Sequence, residues 1–356
     1  MPPETEFVTD RRLRLLRALA REPVDRPPVI CTGGSMSAVP AAVVEASGFS
    51  LPEAHLDPEA MAGLALAAAR IGGFESVGVP LCVTVEAEAL GATVDLGDAH
   101  TEARLVREPF ASATEVRLPP LQEALRSRRA VASVEAARLL RTTAGDLPVF
   151  ANLVGPVSLA ASLVEPTAFL RELRTRPQEA QSVIDATTDF LIAWGTQLVE
   201  AGSDAVVIHE DTTTPSLVGP RIFATFIHPA LKRIVEALQA RGAKVLLHMC
   251  GTLGRTAQTL ESLGIDGFIP DTSLPLNELA LALPNTALIG NVGTFLLHKG
   301  TPEAIASLSL RLAQEGRVHV VSPACGMSSA TPLANLLAMT ESVKTETSSH
   351  LENLHV

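Results

Sequence analysis

Three residues of this 356-residue chain have the types and spacing of a metal centre. His248 and Cys250 stand two apart in VLLHMCGTLG, and Cys325 lies downstream in VVSPACGMSS. In an extended segment residues i and i+2 point to the same side, so the first two side chains face one space. One imidazole and two thiols match a catalytic zinc site, where three protein ligands leave a fourth position open for substrate. A plainer reading stands beside it. Cys250 and Cys325 could be buried small hydrophobes, and His248 a hydrogen-bonded core residue. Spacing alone leaves both open.

Other polar residues fall at comparable points in the chain. Glu86 and Glu88 in TVEAEA follow one β-like run, and Glu86 is favoured as the one facing a pocket. Glu210 and Asp211 in IHEDTTTP follow another, either in a pocket or as a helix cap on a solvated loop. Asn152 in NLVGPVSLA and Asn291 in IGNVG could donate hydrogen bonds to substrate or steady a loop. Glu86, Asn152, Glu210 and Asn291 are therefore the candidate substrate-binding residues. His209 is read as a partner behind the metal ligands or as a surface histidine, and Cys31 and Cys82 as packing residues. The Gly33–Ser37 stretch is glycine-rich but lacks the spacing of a phosphate loop.

Positioning these groups requires a scaffold that brings distant segments together. Eight short β-like runs alternate with Ala/Leu-rich helical stretches: 29–31, 76–79, 148–153, 204–208, 244–248, 267–269, 286–290 and 318–322. The helical stretches include 58–71, 166–173, 178–201, 220–240, 253–263, 302–314 and 332–343, several opening with Pro in the first turn. Such alternation predicts βαβ units and a parallel sheet. Eight strands predict a closed (β/α)₈ (TIM) barrel over a doubly wound open sheet. In a barrel the strand C-termini form the reactive face, and there His248, Cys250 and Cys325 converge. One domain is expected over 1–356, with an N-terminal helical extension over 1–28 whose helix runs 10–21. An insertion over about 83–147, a hairpin then two helices, follows the second strand.

Composition removes several function classes. A net charge of −11, 3% aromatic residues and no Tyr leave neither a basic face nor stacking platforms for nucleic acid. No apolar run approaches the ~20 residues of a membrane span. The start, MPPETEFVTDRR, lacks the order of a signal peptide, so a cytoplasmic location is expected. Four cysteines do not make a disulfide framework.

HMCG, then IGNVG, then ACGM followed by TPLANLLAM resembles the uroporphyrinogen decarboxylase superfamily. Within it, the zinc-dependent methylcobalamin:coenzyme M methyltransferase branch is the nearest in look. VDRPPV, VPLCVTVEAEALGATVD and NLVGPVSLA agree, so the resemblance covers nearly the whole chain. It implies a (β/α)₈ barrel with His248, Cys250 and Cys325 as zinc ligands. A carboxylate as fourth ligand before substrate arrives is also implied, with Glu210 and Asp271 as candidates. True decarboxylases carry an Arg-rich segment after the first strand to grip an acidic porphyrin. Here that place reads CTGGSMSAVP without Arg, which with the negative charge argues against a porphyrin substrate.

The activity implied is methyl transfer from a methylcorrinoid to a small thiol such as coenzyme M, activated by zinc. The chain has no D-x-H-x-x-G corrinoid signature, so the methylcobalamin or other corrinoid is expected as co-substrate, free or on a corrinoid-binding protein. A homodimer is a further expectation. Three alternatives remain. The enzyme could run the other way, passing methyl from a small O-, N- or S-methyl donor to a corrinoid protein. A metal-free decarboxylase predicts no zinc and an Arg-lined pocket. A structural metal predicts four ligands at short spacings.

Overall fold

The computed structural model describes residues 8–34, 36, 37, 39–253 and 256–352. Its strands are β1 (Val77–Val79), β2 (Thr93–Asp95), β3 (Arg104–Arg107), β4 (Val149–Val154), β5 (Ala205–His209), β6 (Lys244–Met249), β7 (Gly267–Pro270) and β8 (Ala287–Leu288). Six of them form one parallel sheet in the order β1-β4-β5-β6-β7-β8, and β2 pairs antiparallel with β3 in a separate hairpin.

Hydrogen bonds carry the parallel sheet round into a closed barrel. Ile289 bridges Val320, and Val321 bridges Val29, both in parallel sense. The Glu75 N–H then donates to the Val29 carbonyl at 2.8 Å, which returns the circuit to the β1 edge. The expected strands at 29–31 and 318–322 are thus present as single bridges instead of full ladders. Pro27 and Pro28 before the one have no N–H to extend the pairing, while the other runs on to a further bridge between Val292 and Pro323.

Strand alternation sorts the side chains of the wall. Val206 and Ile208 of β5, with Val245 and Leu247 of β6, pack outward against the helices. Phe150, Ala205, Val207, Leu246 and Ile269 join a second cluster inside the barrel, together with Leu15 and Leu19. These two leucines belong to the first helix, Arg11–Leu19, which Asp10 caps by accepting from Leu13 N. The helix therefore plugs the end of the barrel where the strands begin. Burying its two leucines stabilises the fold by about 1.5–3 kcal/mol each. Its Arg14 reaches Glu75, which also accepts from Arg26 and from Val29 N, so buried charges brace the point of closure.

The segment 83–147 holds the expected hairpin and two helices, preceded by a short helix at Val85–Ala89. The longer of the two, Arg128–Thr143, packs against Pro58–Gly72 and serves as the crossover helix between β1 and β4. The single helix expected over 220–240 is instead interrupted. A π turn at Phe223–Ile227 separates Pro220–Ile222 from His228–Gln239. Pro229 has no N–H to return to the preceding turn, and the wider turn accommodates that gap. No helix among the described residues is long and apolar enough to cross a membrane.

Candidate metal centre

Continuing the inward alternation upward from Val207 and Leu246 leads to His209 and His248. The two are paired in register at the C-terminal ends of β5 and β6. Their rings meet edge to face at 5.6 Å, both buried. Cys250 stands one step beyond β6 on the same side, and the loop after the eighth wall segment brings in Cys325. His248 Nε2 lies 3.6 Å from Cys250 Sγ, and the two sulfurs are 3.4 Å apart. All three donor atoms lie within 4.8 Å of one another. A tetrahedron on bonds of about 2.0–2.3 Å has edges of about 3.3–3.8 Å, so this spacing suits a small tetrahedral ion.

The surroundings fix how each donor is presented. His248 Nδ1 faces the Ile269 carbonyl at 3.1 Å. A carbonyl only accepts, so Nδ1 carries a proton, which leaves Nε2 as the ring atom that faces the cysteines and could bind an ion on giving up its own proton. Asp211 Oδ1 approaches the same Nε2 at 3.3 Å. Burial pulls the His248 pKa down, but Asp211 and Cys325 outweigh it and raise it to about 9. The Cys250–Cys325 pair shares a proton: Cys250 keeps it and its pKa is raised, while Cys325 accepts and is lowered.

The predicted carboxylates fall elsewhere. Glu210 is fully buried and accepts from Val157 N (3.1 Å), Ser158 N (2.9 Å), Ser158 Oγ (2.5 Å) and Thr213 Oγ1 (2.5 Å). It anchors the N-terminus of the helix Pro156–Leu163 and is not among the converging donors. Burial raises it to about 7, against the pull of these hydrogen bonds. Gly155 makes the approach feasible, because a Cβ there would meet Glu210 Oε2 at 2.3 Å. Asp271 accepts from Gly251 N and Ser273 N, both at 2.6 Å, and so braces the Cys250 loop from behind. Burial raises Asp271, but Ser273 and Gly251 overcome it and leave the pKa lowered.

Glu86 is buried, with Oε1 accepting from Val154 N at 2.8 Å and Oε2 without a partner. Burial raises it to about 7. Asn152 donates from Nδ2 to the carbonyls of Thr32 (2.8 Å) and Val79 (3.2 Å), and its Oδ1 holds His209 Nε2 at 3.0 Å. Through His209 it supports the ring of His248. Gly33 and Gly34 pack against Asn152 in left-handed conformations, and Ser35 of the glycine-rich stretch lies outside the described residues. Asn291 Nδ2 donates to the Asp271 carbonyl at 3.2 Å.

Asp211 is the residue that sequence reasoning undervalued. His209 and Asp211 are related as i and i+2, the same relation that pairs His248 with Cys250. Their donor atoms, with that of His248, form a second converging set within 4.8 Å.

Fold and centre together define a (β/α)₈ barrel that gathers one imidazole, two sulfurs and a carboxylate at its reactive end. The chain belongs to the uroporphyrinogen decarboxylase (URO-D) family, which matches residues 10–346. It is 32% identical over 334 residues to methylcobamide:CoM methyltransferase MtbA of Methanosarcina acetivorans, covering 93% of this chain and 96% of the relative. It is 29% identical to methylcobamide:CoM methyltransferase MtaA of Methanosarcina barkeri, covering 92% and 96%. A methyltransferase from Methanosarcina mazei superposes with a TM-score of 0.87 at 27% identity, over 96% of this chain and 99% of that one. The resemblance read from the motifs is borne out at the level of family and fold.

Proposed function

We propose that the protein is a zinc-dependent corrinoid methyltransferase, moving a methyl group between a methylcorrinoid carried by a separate protein and a small thiol such as coenzyme M. The whole chain acts as one barrel domain in this reading. The observation that carries it is the convergence of His248 Nε2, Cys250 Sγ and Cys325 Sγ at the barrel mouth. The names of the two Methanosarcina relatives join a methylcobamide to CoM, which supports the same assignment.

The donor set fits zinc, a borderline-soft ion that prefers nitrogen and thiolate sulfur. His248, Cys250 and Cys325 would hold it, with Asp211 the carboxylate nearest the shared face. When bound, zinc supplies Lewis acidity that lowers the pKa of a substrate thiol, so its sulfur is a nucleophile at neutral pH. The Ile269 carbonyl keeps His248 in the tautomer that presents Nε2. Asp271 holds the Gly251 amide and so fixes the position of Cys250. On the rim, Phe295 is 80% exposed and lines a recess with Gly326 and Met327, next to Cys325. An aromatic left bare beside the centre suits a mouth that a large flat macrocycle covers during transfer.

The test is anaerobic incubation with methylcobalamin and a panel of thiols, following the corrinoid spectrum. Thiol-dependent demethylation is expected, with coenzyme M among the active acceptors. No turnover with any thiol, together with methyl transfer from an ether or amine to cob(I)alamin, would overturn the direction assigned here.

A further inference from the structure

A second thiol, remote from the metal centre in function, sits in a built environment of its own. Cys82 follows β1 and is 8% exposed. Arg129, 2% exposed at the start of the crossover helix, brings Nη2 to 2.7 Å from its sulfur. The same guanidinium donates from Nη1 to Thr84 Oγ1 at 3.1 Å and to Glu88 at 2.9 Å. A buried guanidinium needs an anion close by, and Glu88 is 38% exposed and screened by water. On the buried side the Cys82 sulfur, at 2.7 Å, is the group in direct contact that can carry that charge, with the Glu86 carboxyl also facing the guanidinium. His55, 4% exposed, lines one cavity together with Cys82, and its Nδ1 has no hydrogen-bond partner.

Cys31 provides the internal contrast. Also buried, its thiol donates to the Met36 carbonyl at 2.6 Å, and burial pushes it up to about 12. Burial also pushes Cys82 up, but Arg129 and His55 outweigh it and bring it down to about 6. The other groups facing Cys82 are Thr84, at 3.4 Å from the sulfur, and the carboxyl of Glu86. The cavity wall includes Met327 and Ser329, from the loop that carries Cys325.

We propose that Cys82 is a modification site, a thiolate held by Arg129 and His55 that hydrogen peroxide entering this cavity oxidises to a sulfenic acid. The sulfur attacks one peroxide oxygen, the S–O bond forms as the O–O bond breaks, and hydroxide leaves. Sulfur loses two electrons, and the departing oxygen takes them up and leaves with the hydrogen it already carries. His55 Nδ1, buried without a hydrogen-bond partner of its own, is a group beside the sulfur that can hydrogen-bond the peroxide.

The experiment uses the full chain supplied with zinc, exposed to hydrogen peroxide at pH 7 and trapped with dimedone. Labelling is read cysteine by cysteine in peptide mass spectra. Cys82 is expected to label about tenfold or more faster than Cys31, and Arg129→Gln to slow Cys82 by about tenfold. Cys82→Ser identifies the labelled peptide. Wild-type Cys82 labelling no faster than Cys31 overturns the proposal, whether or not the arginine variant folds. So does a folded Arg129→Gln protein, checked by near-UV circular dichroism, whose Cys82 reacts at the wild-type rate.

Discussion

The two sides of the barrel mouth put similar polar residues to opposite uses. On the β6–β8 side, His248, Cys250 and Cys325 turn their donor atoms toward one another, and their surroundings orient them from behind. On the β1–β5 side, Glu86 Oε1 and Glu210 accept from backbone amides, and Asn152 Nδ2 donates to backbone carbonyls. The contrast is sharpest between neighbours in sequence. Glu210 accepts four hydrogen bonds around a helix N-terminus, whereas Asp211 faces the His248 imidazole. A carboxylate whose lone pairs are filled by amides and hydroxyls holds the fold in place, whereas Asp211 shares a face with the converging donors.

Cys325→Ala removes one of three converging donors, and methyl transfer from methylcobalamin to thiol should fall by about 100-fold or more. Asp211→Asn keeps the shape but removes the charge beside His248, so zinc affinity should drop by about 10–100-fold in a competition titration with a chelator. Zinc binding by Asp211→Asn at the wild-type affinity would put Asp211 on the structural side of the mouth.

Glu210→Ala should do the reverse. It leaves buried amides without an acceptor, which costs about 2–4 kcal/mol in urea unfolding, while zinc stoichiometry stays unchanged. Loss of zinc in a folded Glu210→Ala protein would erase the distinction between the two neighbours.

The smallest effect concerns pH. Glu86 is raised from 4.5 to about 7, so the folded state holds a proton that the unfolded chain gives up between those values. Its contribution to stability is present below about pH 4.5 and declines as pH rises to about 7. Glu86→Gln removes that decline, and the variant should gain about 1–3 kcal/mol on wild type between pH 5 and pH 8. Parallel stability profiles for the two proteins would remove Glu86 from this account.

Much of this was legible because period and chemistry agreed. The alternation of β-like and helical runs indicated a barrel, and the i, i+2 relation of His248 and Cys250 indicated which face they share. Strand extent was less legible at Pro28, where a missing N–H shortens a ladder that the apolar pattern suggests is longer. Glu210 and Asp211 were hard to rank because both are acidic and adjacent. Only the strand register, with His209 opposite His248, shows which of them faces inward. Cys82 read as packing because its partners, His55 and Arg129, lie 27 and 47 positions away in sequence. No local motif joins them.

If His248, Cys250 and Cys325 form one metal centre, the metal content of the purified protein reports it, wild type beside His248→Ala and Cys325→Ala, by inductively coupled plasma mass spectrometry. About one zinc per chain in the wild type and a small fraction of that in both variants is the predicted result. Wild-type protein without near-stoichiometric zinc, or folded variants that retain it, would contradict the claim.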